Sequence, residues 1–194
     1  MSKKNVLILG SSHRNSIGTL LGNQLQKDGY HVTLSSRHQC LVCDVTNPKQ
    51  VERTLRSTSP DIIICCVGTF ISPQSLGKIT SWNKILDHLV SRTLGSIVLL
   101  NTVIKHSMKS DIIFITGKTS SKDPSFGPYI MANAAIAQLK QFASALFPKL
   151  RINVIAYPAI EGTYMIEAYK RKTGQSFPTI SISKAYQKLK KYLV

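Results

Sequence analysis

Tyr129 and Asn133 stand four residues apart in PYIMANAAIAQL, among residues small enough to let another molecule come close. On a helix this spacing puts both side chains on one face, a turn apart. A phenol can pass a proton to a substrate oxygen, and a carboxamide offers a hydroxyl both a donor and an acceptor. Tyr129 therefore has three open roles: proton donor, pocket wall or core aromatic. As a base a tyrosine is weak, because with a pKa of about 10 only about one part in a thousand is ionised at neutral pH unless a cation stands near.

A second constellation lies near the start of the chain. The apolar run NVLIL is followed by GSSHRNSIG, small and polar residues that open a helix at Ile17. Such a loop lets a phosphate reach backbone amides and the positive end of a helix dipole, with Gly10, Ser12, Arg14, Ser16, Ile17 and Gly18 as its contacts. After the next apolar run comes SSR. No acid stands there to bind a ribose 2′-hydroxyl, whereas Arg37, helped by Arg14, could pair with a 2′-phosphate. That favours NADP(H) over NAD(H).

The elements that must carry these residues alternate along the whole chain. NVLIL, YHVTL, CLVC, DIIICCV, DIIFIT and RINVIAY are nearly continuous apolar runs, as in parallel strands covered on both faces. Helix patterns separate them. One begins at Ser16, one at Asn47-Pro48, a long one spans 80–107, another follows Pro128, and a last one carries Ile182, Ala185, Tyr186, Leu189 and Leu193 on one stripe. The expected fold is α/β: a Rossmann-like, doubly wound parallel sheet of about six strands in three α/β/α layers. Only SSRHQ separates the second and third strands, too little for a crossover helix, so a tight loop or an abnormal pairing is expected there. Ligands of such sheets bind beyond the carboxyl ends of the strands. Those ends carry Asp44, Gly68, TGKTSSKDPSFGPY and YPAIEGT.

Composition bounds the rest. A chain of 194 residues with 43% hydrophobic content suits one domain, 1–194, with its own core. No apolar run has the ~20 residues of a membrane span and no secretory leader is evident, so a cytoplasmic protein is expected. Cys40 and Cys43 form a CxxC, but on a strand residues three apart face opposite ways and cannot grip one ion, so no metal site is expected. The formal charge of +16 gathers late, in YKRK and KAYQKLKKYL, where Lys184, Lys188, Lys190 and Lys191 lie opposite the apolar stripe. Solvation and docking of an acidic partner both account for such a face. No recognised motif or stacking surface points to nucleic acid.

Taken together these strand ends resemble the short-chain dehydrogenase/reductase family from about residue 5 to 163, and most of all its divergent subgroup of roughly 200 residues that lacks the active-site lysine. The resemblance matches Gly10 and Gly18 to the outer glycines of the family loop, here two residues longer and with Ser16 for its middle glycine. Asp44-Val45 match the adenine pair, and Gly68 matches the end of the run after strand four. Pro158 and Thr163 match the ends of the nicotinamide loop, which contains Ile160 and has Ala159 for its glycine. The family's proton-transferring tyrosine falls at Tyr129, its lysine at Asn133, its serine at Thr116 or Gly117, and its helix asparagine near Arg92.

The resemblance implies an NADP(H)-dependent reductase of a small carbonyl or enoyl compound. Tyr129 is its donor, Thr116 a candidate oxyanion donor, Lys118 or Lys122 the replacement cation, and Asn133 a ribose contact. TYMIEAYKRKTGQSFPT would be a basic lid suited to an anionic substrate. The resemblance also implies a homodimer through helices 80–107 and 128–147, and its last strand is absent here, so one sheet edge is exposed or covered by another subunit. The rival reading is a catalytically weak or inactive dinucleotide-binding sensor or scaffold that docks an acidic partner.

Overall fold

The computed structural model describes residues 3–38, 41–68, 81–118, 127–174, 176 and 178–193. Lys122 and Cys40 lie outside them. Five of the apolar runs become the strands β1 (Asn5–Leu9), β2 (His31–Ser36), β4 (Ile62–Cys65), β5 (Asp111–Gly117) and β6 (Ile152–Tyr157), and Leu41–Val42 forms a short β3. They make one parallel sheet in the order β3-β2-β1-β4-β5-β6. Because side chains alternate along a strand, each run feeds two cores. Val6, Ile8, Ile62, Ile64, Ile113 and Ile115 bury on one side of the sheet. Leu7, Leu9, Ile63, Cys65, Ile112 and Phe114 bury on the other. Both faces are dry, which is why these runs show no polar alternation.

The connection from β2 to β3 is the abnormal pairing that its length requires. Only Ser35 and Ser36 pair with Leu41 and Val42, at the carboxyl tip of β2. Ser35 Oγ donates to Leu41 O (2.8 Å) and Cys43 N–H to Ser36 O (3.0 Å), so two serines stitch a loop in place of a crossover helix.

Helices α1 (Ile17–Lys27), α2 (Pro48–Thr58), α5 (Gly127–Leu146) and α7 (Ile182–Lys190) fall where their patterns predict. Asn47 Oδ1 accepts from Lys49 N–H and Gln50 N–H, and Pro48 fills the first turn of α2, the pairing of cap and proline expected from the sequence. The long helix is not uniform. It runs as α3 (Trp82–Leu89), a π-helical turn (Val90–Leu94) and α4 (Gly95–Lys105). Hydroxyls back-bond around that turn, Ser91 Oγ to His88 O at 3.2 Å and Ser96 Oγ to Arg92 O at 2.6 Å. The wider turn swings Arg92 inward, a placement that regular helical periodicity misses.

The segment expected to form a lid is tied at both ends. β7 (Ala159–Ile160) pairs with β8 (Thr179–Ile180), and α6 (Tyr164–Thr173) lies between them. On α7 the apolar stripe packs as predicted and its lysines are exposed, two of them also making surface contacts: Lys188 Nζ donates to Ala156 O on β6, and Lys190 Nζ pairs with Asp28 Oδ2. Among the described residues no helix is long and apolar enough to cross a membrane.

Candidate active site

The carboxyl ends of β1, β2 and β4 meet in a cradle made largely of backbone. Gly10 has φ +92, and a Cβ there would stand 2.7 Å from Cys66 C and Val67 N, so both conformation and space demand glycine. Its N–H donates to Ser35 O (2.9 Å), and the buried Ser11 adds its hydroxyl to the same carbonyl. Gly18 lets α1 start hard against β1, since a Cβ would lie 2.9 Å from Gly10 O. Ser16 caps α1 by accepting from Thr19 N–H, so it replaces a glycine with a working cap.

Thr19 was not predicted and organises the whole loop. Its hydroxyl reaches His13 O at 2.8 Å, Ser11 O at 3.3 Å and Ser16 Oγ at 2.9 Å. Ser12 and Arg14 remain exposed at the rim, and Ile17 is partly buried. A helix start with unused amides, a glycine floor and serines at the rim is what a pyrophosphate fits. The start of α6 packs on this loop, where the Tyr164 ring stacks on His13 at 4.3 Å and Tyr164 N–H donates to Asn15 O at 2.9 Å.

Other predicted contacts are brought to the same rim with varied freedom. Arg37 is half exposed and pairs with Asp87 of α3 at 3.6 Å. Asp44 spends Oδ1 on Thr46, accepting from its N–H and its hydroxyl. The Val45 and Ile160 side chains bury in the two cores, so these positions can offer a ligand only backbone. Pro158 is partly buried just past β6, and the buried Thr163 donates its hydroxyl to Ile160 O at 2.8 Å.

The candidate catalytic end is built from side chains of three elements. Tyr129, near the start of α5, points its hydroxyl at Gly117, where any Cβ would collide with Oη. The phenol thus fills the space that a side chain at the end of β5 would need. Thr116, one residue earlier, is 6% exposed. Lys118 is exposed beyond the strand, and its backbone N–H is what ties it in, donating to Tyr157 O at 2.5 Å. The 1% exposed His88 ring tilts against Tyr129 at 5.7 Å.

Between α5 and the strand ends lies Arg92, 6% exposed. Its Nε donates to Asn133 Oδ1 (3.1 Å), Nη1 to Val67 O (2.6 Å) and Nη2 to Ile115 O (2.8 Å), with the guanidinium carbon 5.7 Å from the Tyr129 ring centre. Asn133 in turn donates from Nδ2 to Gly117 O at 3.3 Å. Both ends of the amide predicted to hold a ribose are therefore engaged by protein, leaving it a second Nδ2 hydrogen. Gly68 is explained by the same group, since a Cβ there would stand 2.8 Å from Arg92 Nη1. Burial pushes the Cys66 thiol up, and the Arg92 charge acts in the opposite direction. The sequence signal for Arg92 was the one arginine in HLVSRTLGSIVLL, a stretch with no carboxylate to pair with it.

No family model matches the chain. Over 91% of its length and 73% of the relative's, it is 26% identical to mouse Dehydrogenase/reductase SDR family member 4. A solved structure of ElxO with NADPH bound, a tyrosine-to-phenylalanine variant, superposes with a TM-score of 0.83 at 20% identity, covering 100% of this chain and 92% of that one. A short-chain dehydrogenase from Leptospira borgpetersenii with bound NAD+ superposes with a TM-score of 0.71 at 19% identity, covering 97% and 85%. The strand order and the glycine floor agree with these superpositions: the chain has the fold of the short-chain dehydrogenases it superposes on, and its sequence is similar to one curated short-chain dehydrogenase/reductase.

Proposed function

We propose that the protein is an NADP(H)-dependent reductase of a small carbonyl or enoyl compound in which Tyr129 is the proton donor. The observation that carries this reading is the Tyr129 hydroxyl held at the end of β5, beside a nucleotide cradle that only glycine at Gly10 and Gly18 permits. A reduced nicotinamide dinucleotide bound there supplies a hydride to the electrophilic carbon of the substrate. Tyr129 Oη gives its proton to a carbonyl oxygen, which leaves an alcohol, and the phenolate recovers a proton from water. Thr116 beside it donates to the developing oxyanion. Ser12, Arg14, Ser16, Ile17 and Gly18 hold the pyrophosphate, while Asp44, Val45, Gly68, Pro158, Ile160 and Thr163 line the rest of the cofactor. The remaining Nδ2 hydrogen of Asn133 serves the ribose.

Preference for the 2′-phosphate rests on Arg37. Its counter-ion Asp87 sits at 3.6 Å with both groups about half exposed, a weak pair that a doubly charged phosphate displaces. The exposed Lys118, with Lys170, Arg171 and Lys172 in the last turn of α6, suits an anionic substrate. The exposed Ile97 on α4 and Phe142 and Leu146 on α5, with Phe147 just past its end, support a homodimer across those helices, and we place the protein in the cytoplasm.

Titration with NADPH by fluorescence, followed by NADPH consumption over a panel of aldehydes, ketones and enoyl compounds, tests the reading. Binding with turnover is expected. Binding without turnover on any of them selects the rival sensor or scaffold, which the doubly engaged Asn133 amide favours.

A further inference from the structure

We propose that Arg92 is a positioning residue whose fixed positive charge stabilises the negative charge left on Tyr129 Oη when its proton moves to the substrate. The inference rests on Tyr129 being the donor, and it replaces Lys118 as the source of the missing cation. A buried guanidinium is costly unless its charge is answered. Arg92 is 6% exposed, and among the described residues no carboxylate pairs with it. Two carbonyl oxygens and one amide oxygen satisfy its hydrogen bonds and leave its net charge standing in the site.

The geometry aims that charge at the phenol. The guanidinium carbon lies 5.7 Å from the Tyr129 ring centre, and the Ile115 carbonyl it binds is on the strand end whose Gly117 meets Tyr129 Oη. Among the described residues His88 and Arg92 are the ionisable side chains that stand against the Tyr129 ring, one on α3 and one on the π turn that follows it. Three hydrogen bonds lock the fork, so nothing needs to reorganise as charge develops, the condition under which a fixed charge lowers a barrier. Lys118 is exposed, where water screens its charge. A purely structural tie between β4, β5 and α5 would use the same hydrogen bonds without needing the charge.

The test moves the charge. Arg92→Met should fold and bind NADPH, yet lose about a hundredfold in kcat. Arg92→Lys should keep more of it. Adding Asn133→Lys to Arg92→Met returns a cation one turn from Tyr129 and should restore activity at least roughly tenfold. A folded Arg92→Met with wild-type kcat and pH profile overturns the proposal, as does a double variant no better than the single. Should Arg92→Met fail to fold, Arg92→Lys compared with Arg92→Gln decides: equal rates overturn it.

A second readout needs no turnover. The ultraviolet phenolate absorbance of Tyr129, isolated by subtracting the Tyr129→Phe protein, should rise at higher pH in Arg92→Met than in wild type and return toward wild type in the double variant. No displacement overturns the proposal. The expected displacement in a protein that reduces nothing on the panel overturns the oxidoreductase reading and leaves the charge assignment in place.

Discussion

The nucleotide cradle and the catalytic end lie at the same edge of the sheet and are built on opposite plans. The cradle is backbone: Gly10 fits because a Cβ would strike Cys66 and Val67, and the loop hangs from Ser35 O and the Thr19 hydroxyl. The candidate catalytic end is side chain: Tyr129 from α5 and Asn133 one turn on meet Gly117, and Arg92 from the π turn holds Asn133. Backbone fit has few solutions, so its residues are conspicuous in a sequence. A charge can arrive from any element within reach, so the catalytic end can be rebuilt while the cradle keeps its pattern.

That contrast can be broken most sharply at Tyr129. Tyr129→Phe should lose about 10²–10⁴ in turnover while binding NADPH as wild type does, and a kinetic assay beside a fluorescence titration reads both. Gly10→Val is the converse. It forces a side chain into φ +92 against backbone and should cost about 2–5 kcal/mol in a urea melt, with cofactor binding lost.

A smaller effect separates this chain from its relatives. Gly117→Ser, which installs a hydroxyl where the family resemblance places one, should lower kcat about tenfold with NADPH affinity kept, because its Cβ displaces Tyr129 Oη. A rise in kcat would show that the phenol has room to move. Thr19→Val removes the hydroxyl that holds His13 O, and at about 1 kcal/mol should weaken NADPH about fivefold without touching kcat.

The smallest effect lies outside both regions. Hydrogen bonds from Lys190 and Tyr186 hold the Asp28 carboxyl below its ordinary range. A lowered carboxylate adds stability above its unfolded pKa and loses it as pH falls through the folded value. Wild type should therefore melt higher than Asp28→Asn at neutral pH, and this margin should close below about pH 4. NADPH binding and turnover at neutral pH should match wild type, which makes the pair a control for the other variants.

What was legible from the chain follows the same division. The apolar runs announced the strands, since a strand dry on both faces cannot hide its composition, and Asn47-Pro48 announced α2. The connection SSRHQ was legible as an anomaly though not as two serines stitching a two-residue strand. Thr19 escaped because a threonine inside a helix start looks like any other, and its three partners are neighbours only after the loop folds back. The α7 lysines are exposed as their spacing indicates, but periodicity reports the side of a helix and not that Lys188 reaches a carbonyl and Lys190 a carboxylate there.

Sequence by itself determined the doubly wound sheet, the glycine floor at Gly10 and Gly18, and the helix face shared by Tyr129 and Asn133. Those are properties of local spacing and of residues that only one backbone conformation accepts. Tertiary structure alone decided that Arg92 stands among them, that Gly117 makes room for the phenol and that Asn133 is spent on both. A hydrogen bond between residues 41 apart depends on where a π turn aims one side chain, and no periodicity encodes it.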